Sequence, residues 1–390
     1  MNGSRIISIL IVLATLTYAG GPAVFGQRQG EPRVFLLEIK DQELKTKDQA
    51  AVRRIDTEAR KALTAKVASI VSKSVTPPSG DKHDYMSQAP YFWRNPNTAT
   101  GFPYIRRDGE RNPEIKQFPD HDLLDTMVRT VERLALGYFV TGKKEYAARA
   151  GEILRMWFID PATKMNPNLQ FAQAIPGLNT GRGIGIIETR GLTSVVDSVG
   201  LLARSPSWSR TDQAEVEAWF SSYLAWLQES KNGKEESAAK NNHGTFYDVQ
   251  IASFALFVGK RDLAKSVLET AKQKRIAMQI ETDGRQPLEL ERTKSWDYSV
   301  MNLEGLVSLA KLAEHVGVDL WSFHTADGRE IRKALLFLTP FARDPKKWPY
   351  KQISTIEPKR LDAIVRRVSG KYKDAEFQRL TGSLPTTASR

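Results

Sequence analysis

Five residues of this 390-residue chain have the types and spacing to move a proton next to a carboxylate: Asn241, Asn242 and His243 in a row, and Arg292 six residues before Tyr298. An amide, an imidazole and a guanidinium can together stabilise negative charge building on a carboxylate, and such groups commonly contribute several kcal/mol of barrier lowering. A phenol whose pKa is lowered by a neighbouring arginine can act as base and then as acid. That set suits β-elimination of a uronic acid polymer, in which a base removes the C5 proton beside the carboxylate and the O4 leaving group takes a proton. It calls for no cofactor. The simpler explanation of the triplet is a helix cap, Asn242, followed by an interior histidine.

The elements around these residues must present them together. Lys231 to Ser237 is charged, contains Gly233 and reads as a surface loop with nothing to bury. Phe246, Val249, Ile251, Ala252, Phe254 and Leu256 begin a buried helix, so the triplet falls at a helix start, where free N–H groups favour an anion. A second helix starts near Tyr298. Helical spacing also marks segments at 48–74, 122–140, 144–158, 188–203, 211–227, 244–258, 261–279, 298–316 and 329–338. Gly142 separates two of them as a hairpin. With hardly any strand signal, the pattern predicts an all-α fold, a barrel or toroid of antiparallel helical hairpins.

Two long loops interrupt the helices. The first, from Asp84 to Glu110, carries Tyr91 and Trp93, rings on which a sugar can stack. The second, from Asp160 to about Ile187, carries Gln173 and Arg182, polar groups fit to line a groove. Its Gly181-Arg182-Gly183-Ile184-Gly185-Ile186 run has no preceding strand and no sixth-position glycine, which argues against a nucleotide-binding loop.

The termini and the charge bound the setting. Residues 1–26 carry a single charge, Arg5, ahead of a short apolar run and small residues, the pattern of a secretory signal, so the mature chain is expected to be periplasmic or secreted. A domain at 27–381 and a polar tail at 382–390 complete the expected organisation. There are no cysteines, which excludes disulfides and thiolate metal sites, and the five histidines are scattered without ligand spacing. The net charge of +12 favours a polyanionic partner, and outside the cytoplasm an acidic polysaccharide suits it better than nucleic acid.

Four stretches together, Asn241 to His243, Glu289 to Tyr298, Asn166 to Gly177 and Gly181 to Glu188, resemble the alginate lyase family of polysaccharide lyases, with the likeness running from about Tyr85 to Leu312. The resemblance implies an incomplete (α/α) toroid with the sugar chain in a groove across one end. It also implies that Asn242, His243 and Arg292 neutralise the uronate carboxylate, that Tyr298 is the acid, and the base too in syn elimination, and that His243 becomes the base if elimination is anti. Tyr91, Trp93, Gln173, Arg182, Asn241 and Trp296 are the expected substrate contacts. Mannuronate and glucuronate share their geometry at C4 and C5, so polymannuronate (alginate) and glucuronan both stand as substrates. Two rival readings remain: a helical-toroid glycoside hydrolase using Asp120 with Asp122 or Glu289 with Glu291, and a non-catalytic binder of acidic polysaccharide.

Overall fold

The helix that follows the triplet, Asn242–Phe257, is buried on nearly every face, and a helix apolar all round belongs at the centre of a fold. In this computed structural model of the chain, residues 33–37 and 49–381 are described; the expected signal segment and the tail at 382–390 lie outside them. The chain divides into two units, Met1–Glu31 and Pro32–Arg390, and every described residue belongs to the second. In chain order its helices are α1 (Gln49–Leu63), α2 (Asp120–Thr141), α3 (Lys144–Phe158), α4 (Leu192–Leu202), α5 (Arg210–Glu229), α6 (Lys231–Ser237) and α7 (Asn242–Phe257). They continue with α8 (Arg261–Ala271), α9 (Pro287–Leu290), α10 (Ser295–Glu314), α11 (Ile331–Arg343), α12 (Lys359–Val368) and α13 (Ala375–Thr381).

Helices α2, α4, α7, α10 and α12 pack on one another in succession, and α1, α3, α5, α8 and α11 flank them, giving an incomplete (α/α) toroid. Gly142, at φ 74°, closes α2 in the left-handed conformation and turns the chain into α3, as the sequence predicts. Strand content is slight. Met86–Gln88 (β1) pairs in parallel with Phe171–Ala174 (β4), and Phe92–Trp93 (β2) pairs antiparallel with Ile105–Arg106 (β3), so the two long loops are laced to each other and to themselves. A buried ion pair anchors them: Lys73 Nζ lies 2.5 Å from Asp120 Oδ2, which also accepts from the Met86 N–H at 2.8 Å.

Lys231–Ser237, expected as a surface loop, is instead the short helix α6, with Asn232, Gly233 and Glu236 buried. The Ser230 side chain caps it by accepting from the Gly233 N–H at 3.0 Å. Charge along the segment hid a face that packs against the turn at Gly183–Thr189. After α6 the chain is held by Arg275, which is fully buried on a π-helical turn at Lys272–Ala277. Its guanidinium donates to Asp248 Oδ2 at 2.7 Å, to Asp248 Oδ1 at 3.1 Å, to the Ala239 carbonyl at 2.6 Å and to the Ser237 carbonyl at 2.9 Å.

This packing explains Gly244. A Cβ there would stand 2.0 Å from the Ala239 carbonyl oxygen and 2.3 Å from Arg275 Nη1. Gly244→Ala is therefore expected to destabilise the fold by about 1–3 kcal/mol, despite alanine's better helix propensity. A urea melt reads this directly, and an unchanged midpoint would refute the packing argument.

A buried polar network ties α7 to α10. Gln279 Oε1 accepts from Thr245 Oγ1 (2.9 Å) and from Asn302 Nδ2 (2.9 Å), which also donates to Gln286 Oε1 at 2.8 Å. Gln279 Nε2 reaches the Asn241 carbonyl at 3.4 Å, and Gln286 Nε2 donates to the Ser299 carbonyl at 3.1 Å. The triplet and the turn carrying Tyr298 are thus fixed to one scaffold.

Candidate active site

Asn241 is the N-cap of α7: its side-chain oxygen accepts from the His243 N–H at 3.2 Å. The sequence put the cap at Asn242. That residue is the first of the helix, and a buried carboxylate grips it from α9: Glu289 Oε1 accepts from the Asn242 backbone N–H at 2.7 Å, and Oε2 from its Nδ2 at 2.8 Å. The anion that a helix start favours is thus supplied by the protein itself. Burial pushes the Glu289 carboxyl above its usual range, with the Asn242 bonds and Arg292 opposing. His243 Nδ1 stands 2.8 Å from Oε1 of Glu236, a carboxylate only 1% exposed on α6. In the tautomer that donates from Nδ1 to Glu236, Nε2 is the acceptor nitrogen of the ring.

Three residues after Glu289, Arg292 stacks over the Tyr298 ring with 3.9 Å from guanidinium carbon to centroid. Asp108 on the first loop holds it there, accepting from Nη2 at 2.7 Å and from Nε at 3.1 Å. Burial raises the Asp108 carboxyl, but Arg292 and the Thr293 N–H outweigh that and hold it well below the usual carboxylate range. The Tyr298 hydroxyl donates to the Tyr91 hydroxyl at 2.8 Å. The expectation of a phenol lowered by arginine is overturned. Burial and then Tyr91 push the Tyr298 phenol well above its usual value, and Arg292, already matched by Asp108, lowers it by less. Tyr298 is a protonated phenol across the neutral range.

The remaining expected contacts divide. Gln173 takes φ 49°, a conformation that costs a non-glycine residue on the order of 1–3 kcal/mol. It is held by Arg182, whose Nε donates to the Gln173 carbonyl at 3.1 Å and whose Nη2 donates to Oε1 at 3.0 Å. Arg182 also lies 5.1 Å over the Phe92 ring. Tyr91 meets Tyr298, as above, and half-buried Trp93 lies under Arg107 and donates to the Glu110 carbonyl at 3.0 Å. Trp296 is a correction. It is 1% exposed and packs edge-on against Trp348, so its ring belongs to the core and has no face for a sugar. The glycines at 181–185 serve close packing: a Cβ on Gly181 would lie 2.0 Å from the Gln170 carbonyl and one on Gly185 2.4 Å from Ala172 Cβ.

Sequence reasoning missed Glu236 and Asp108, and it named Glu289 only as a hydrolase carboxylate, not as the grip on Asn242. The only local signal was an acid seven residues before His243 and another three before Arg292. The carboxylate pairs of a hydrolase are not assembled. Asp120 is locked to Lys73 and Glu289 to Asn242, both fully buried, while Asp122 and Glu291 are exposed. Among the described residues no cluster of three or more histidines and carboxylates fit to hold a metal occurs, and no helix is long and apolar enough to cross a membrane.

A helical toroid with an amide, an imidazole and a tyrosine on the first turns of two central helices, and a guanidinium on the turn just before the second, is an enzyme scaffold of the polysaccharide lyase class. A sequence model of the alginate lyase family matches residues 69–348, and the chain belongs to that family. An alginate lyase from Bacteroides ovatus is 38% identical, with a TM-score of 0.83 over 86% of this chain and 90% of that one. Alginate lyase A1-III from Sphingomonas species A1 superposes with a TM-score of 0.53 at 18% identity, over 84% of this chain and 88% of that one. A histidine-to-alanine variant of A1-III complexed with tetrasaccharide gives 0.54 at 17% identity, over 84% and 88%. These last two likenesses bear on the fold alone. None of the curated proteins matches the sequence.

Proposed function

We propose that the enzyme cleaves alginate, a 1,4-linked polyuronate, by β-elimination, with Tyr298 delivering the proton to the departing O4. The observation that carries this reading is the short segment from Glu289 to Arg292. One end grips Asn242 beside His243, and the other lies over Tyr298, so four proton-handling or charge-stabilising groups share one support. The protonated state of Tyr298 supports its role as acid. Arg292 and the Asn242 amide stabilise the negative charge that spreads onto the uronate carboxylate when the C5 proton leaves.

The base depends on the sugar. In guluronate the C5 proton and the O4 leave from opposite faces, and His243 takes the proton on Nε2, its Nδ1 against Glu236, while Tyr298 protonates O4. In mannuronate both leave from one face: Tyr298 releases its own proton to solvent as the substrate binds, takes the C5 proton as the phenolate and passes that proton to O4. Glucuronan presents the same C4 and C5 geometry as mannuronate.

The test offers the purified protein polymannuronate, polyguluronate, glucuronan and a neutral glucan, and follows the ultraviolet absorbance of the unsaturated uronate end. Alginate cleavage without that absorbance would indicate a hydrolase, and binding without cleavage a sugar-binding protein. His243→Ala is expected to lower kcat on polyguluronate by about 10²–10⁴-fold and to do less harm on polymannuronate. Equal losses on both polymers, in a variant that melts like wild type, would remove His243 from the role of base.

A further inference from the structure

The helix that carries Tyr298 starts without a cap of its own. Lys294 stands at the N-cap of α10 and has no side-chain oxygen to offer, although the first N–H groups of a helix need acceptors from outside it. Those acceptors come from a segment 56 residues on: the Ser295 N–H donates to the Lys351 carbonyl at 3.2 Å, and the Trp296 N–H to Gln352 Oε1 at 3.0 Å. The second bond orients the Gln352 amide. Its Nε2 donates to Asp297 Oδ2 and to Ser354 Oγ, each at 3.0 Å, and Ser354 Oγ donates to the same Asp297 oxygen at 2.8 Å. Two further contacts close the clasp. The Ile353 N–H donates to the Thr293 carbonyl at 3.0 Å, and Ser295 Oγ accepts from Trp348 Nε1 at 2.8 Å while donating to the Lys351 carbonyl at 2.7 Å. Trp348 is seated among the rings of Trp296, Phe337, Phe341 and Tyr350, so the clasp stands on the core. The turn from Arg292 to Tyr298 is thus held from two sides. Asp108 grips Arg292 and Thr293, and Gln352 grips Trp296 and Asp297, the two residues just before Tyr298.

We propose that Gln352 is a positioning residue for the elimination: its side-chain amide caps α10 from outside and fixes the first turn that aims the Tyr298 hydroxyl. This rests on the lyase reading above and adds to it a residue that acts through Tyr298. Each residue of helix accounts for about 1.5 Å along the axis, so a first turn that frays moves the phenol by a distance of that order. A misplacement of about 1 Å is enough to cost on the order of a hundredfold in rate. Affinity stands apart from this dependence. Arg292 and Asn242, the groups that meet the uronate carboxylate, are held by Asp108 and Glu289 instead. Trp296 also gains a role, since its ring belongs to the core but its N–H is what the clasp holds.

The experiment measures kcat and KM on polymannuronate, at a temperature where every variant is folded, for Gln352→Ala, Gln352→Glu, Gln352→Glu with Asp297→Asn, and Gln352→Ala with Tyr298→Phe. Gln352→Ala is expected to lower kcat roughly tenfold to hundredfold, with KM within about threefold of wild type. Gln352→Glu sets two carboxylates against each other and should lose as much. Adding Asp297→Asn returns a donor to the pair: the carboxylate at 352 accepts from the Trp296 N–H and from the amide at 297, and most of kcat should come back. In the Tyr298→Phe background, Gln352→Ala should change the residual rate by less than about twofold, because residues that act as a unit are not additive. A loss as large in that background as in wild type, a loss that falls in KM, or a double variant no better than Gln352→Glu would overturn the proposal. Hydrogen exchange gives a readout apart from activity. In Gln352→Ala the N–H groups of residues 293–298 should exchange faster while those of 241–246 keep their protection. Unchanged exchange refutes the clasp, and faster exchange in both segments makes Gln352 only a stabiliser of the fold. If wild type makes no unsaturated product from any polyuronate, the lyase reading fails by itself, and the exchange measurement still decides whether Gln352 holds the turn.

Discussion

Tyr298→Phe is expected to lower kcat on alginate by about 10²–10⁴-fold while leaving oligosaccharide affinity within a few-fold of wild type. The substitution removes one oxygen. It leaves the ring on which Arg292 stacks at 3.9 Å, and it leaves the ion pair between Arg292 and Asp108. The lost hydroxyl donates only to Tyr91 in the free enzyme, so the fold gives up one hydrogen bond, about 1 kcal/mol. Turnover suffers far more, because the proton that O4 takes in this mechanism comes from the hydroxyl removed. The measurement is the initial rate of unsaturated product together with a titration of tetrasaccharide on the same variant. A variant that kept wild-type kcat would sink the mechanism, and one that lost affinity and rate together would make Tyr298 a binding residue instead.

Arg275→Ala is expected to cost about 3–5 kcal/mol of stability, a large part of what a single domain has. The arginine is fully buried and makes four hydrogen bonds, two of them to Asp248. Removing it leaves the Asp248 carboxylate buried without its partner; burial already pushes that carboxyl above its usual range, and Arg275 is what opposes the shift. The carbonyls of Ser237 and Ala239 also lose their donor, so the stretch leading to Asn241 loosens, and activity should fall in the folded fraction too. A double replacement by apolar residues of similar volume, Arg275→Met with Asp248→Leu, should cost less than the single change. Urea denaturation of the three proteins tests this, and a single variant with an unshifted midpoint would be incompatible with a buried ion pair.

How much of this could be read from the chain follows from the range of the interactions. The hairpin of α2 and α3 and the central α7 were legible because apolar spacing and a Gly142 turn are local signals. Asn242, His243, Arg292 and Tyr298 were legible as types suited to one reaction. Their supports were not. Glu289 reaches Asn242 across 47 residues and Asp108 reaches Arg292 across 184, and each sits in a charged stretch that looks like ordinary solvated surface. Glu236 was hidden in the same way, inside a segment whose charges masked α6. The rise in the Tyr298 pKa was illegible for a different reason. The sequence puts Arg292 near the ring, but only the fold shows how far burial and Tyr91 outweigh it.

The amide network of Thr245, Gln279, Gln286 and Asn302 has a consequence for how this enzyme can be altered. Each of the four leans on a neighbour, so replacing one with an apolar residue strands a hydrogen-bonding group in a dry interior. Single-site libraries directed at these positions should return almost only inactive clones. An engineer who wants a new substrate range should transplant or redesign the four as a block, and look for tolerance in the loops that line the groove.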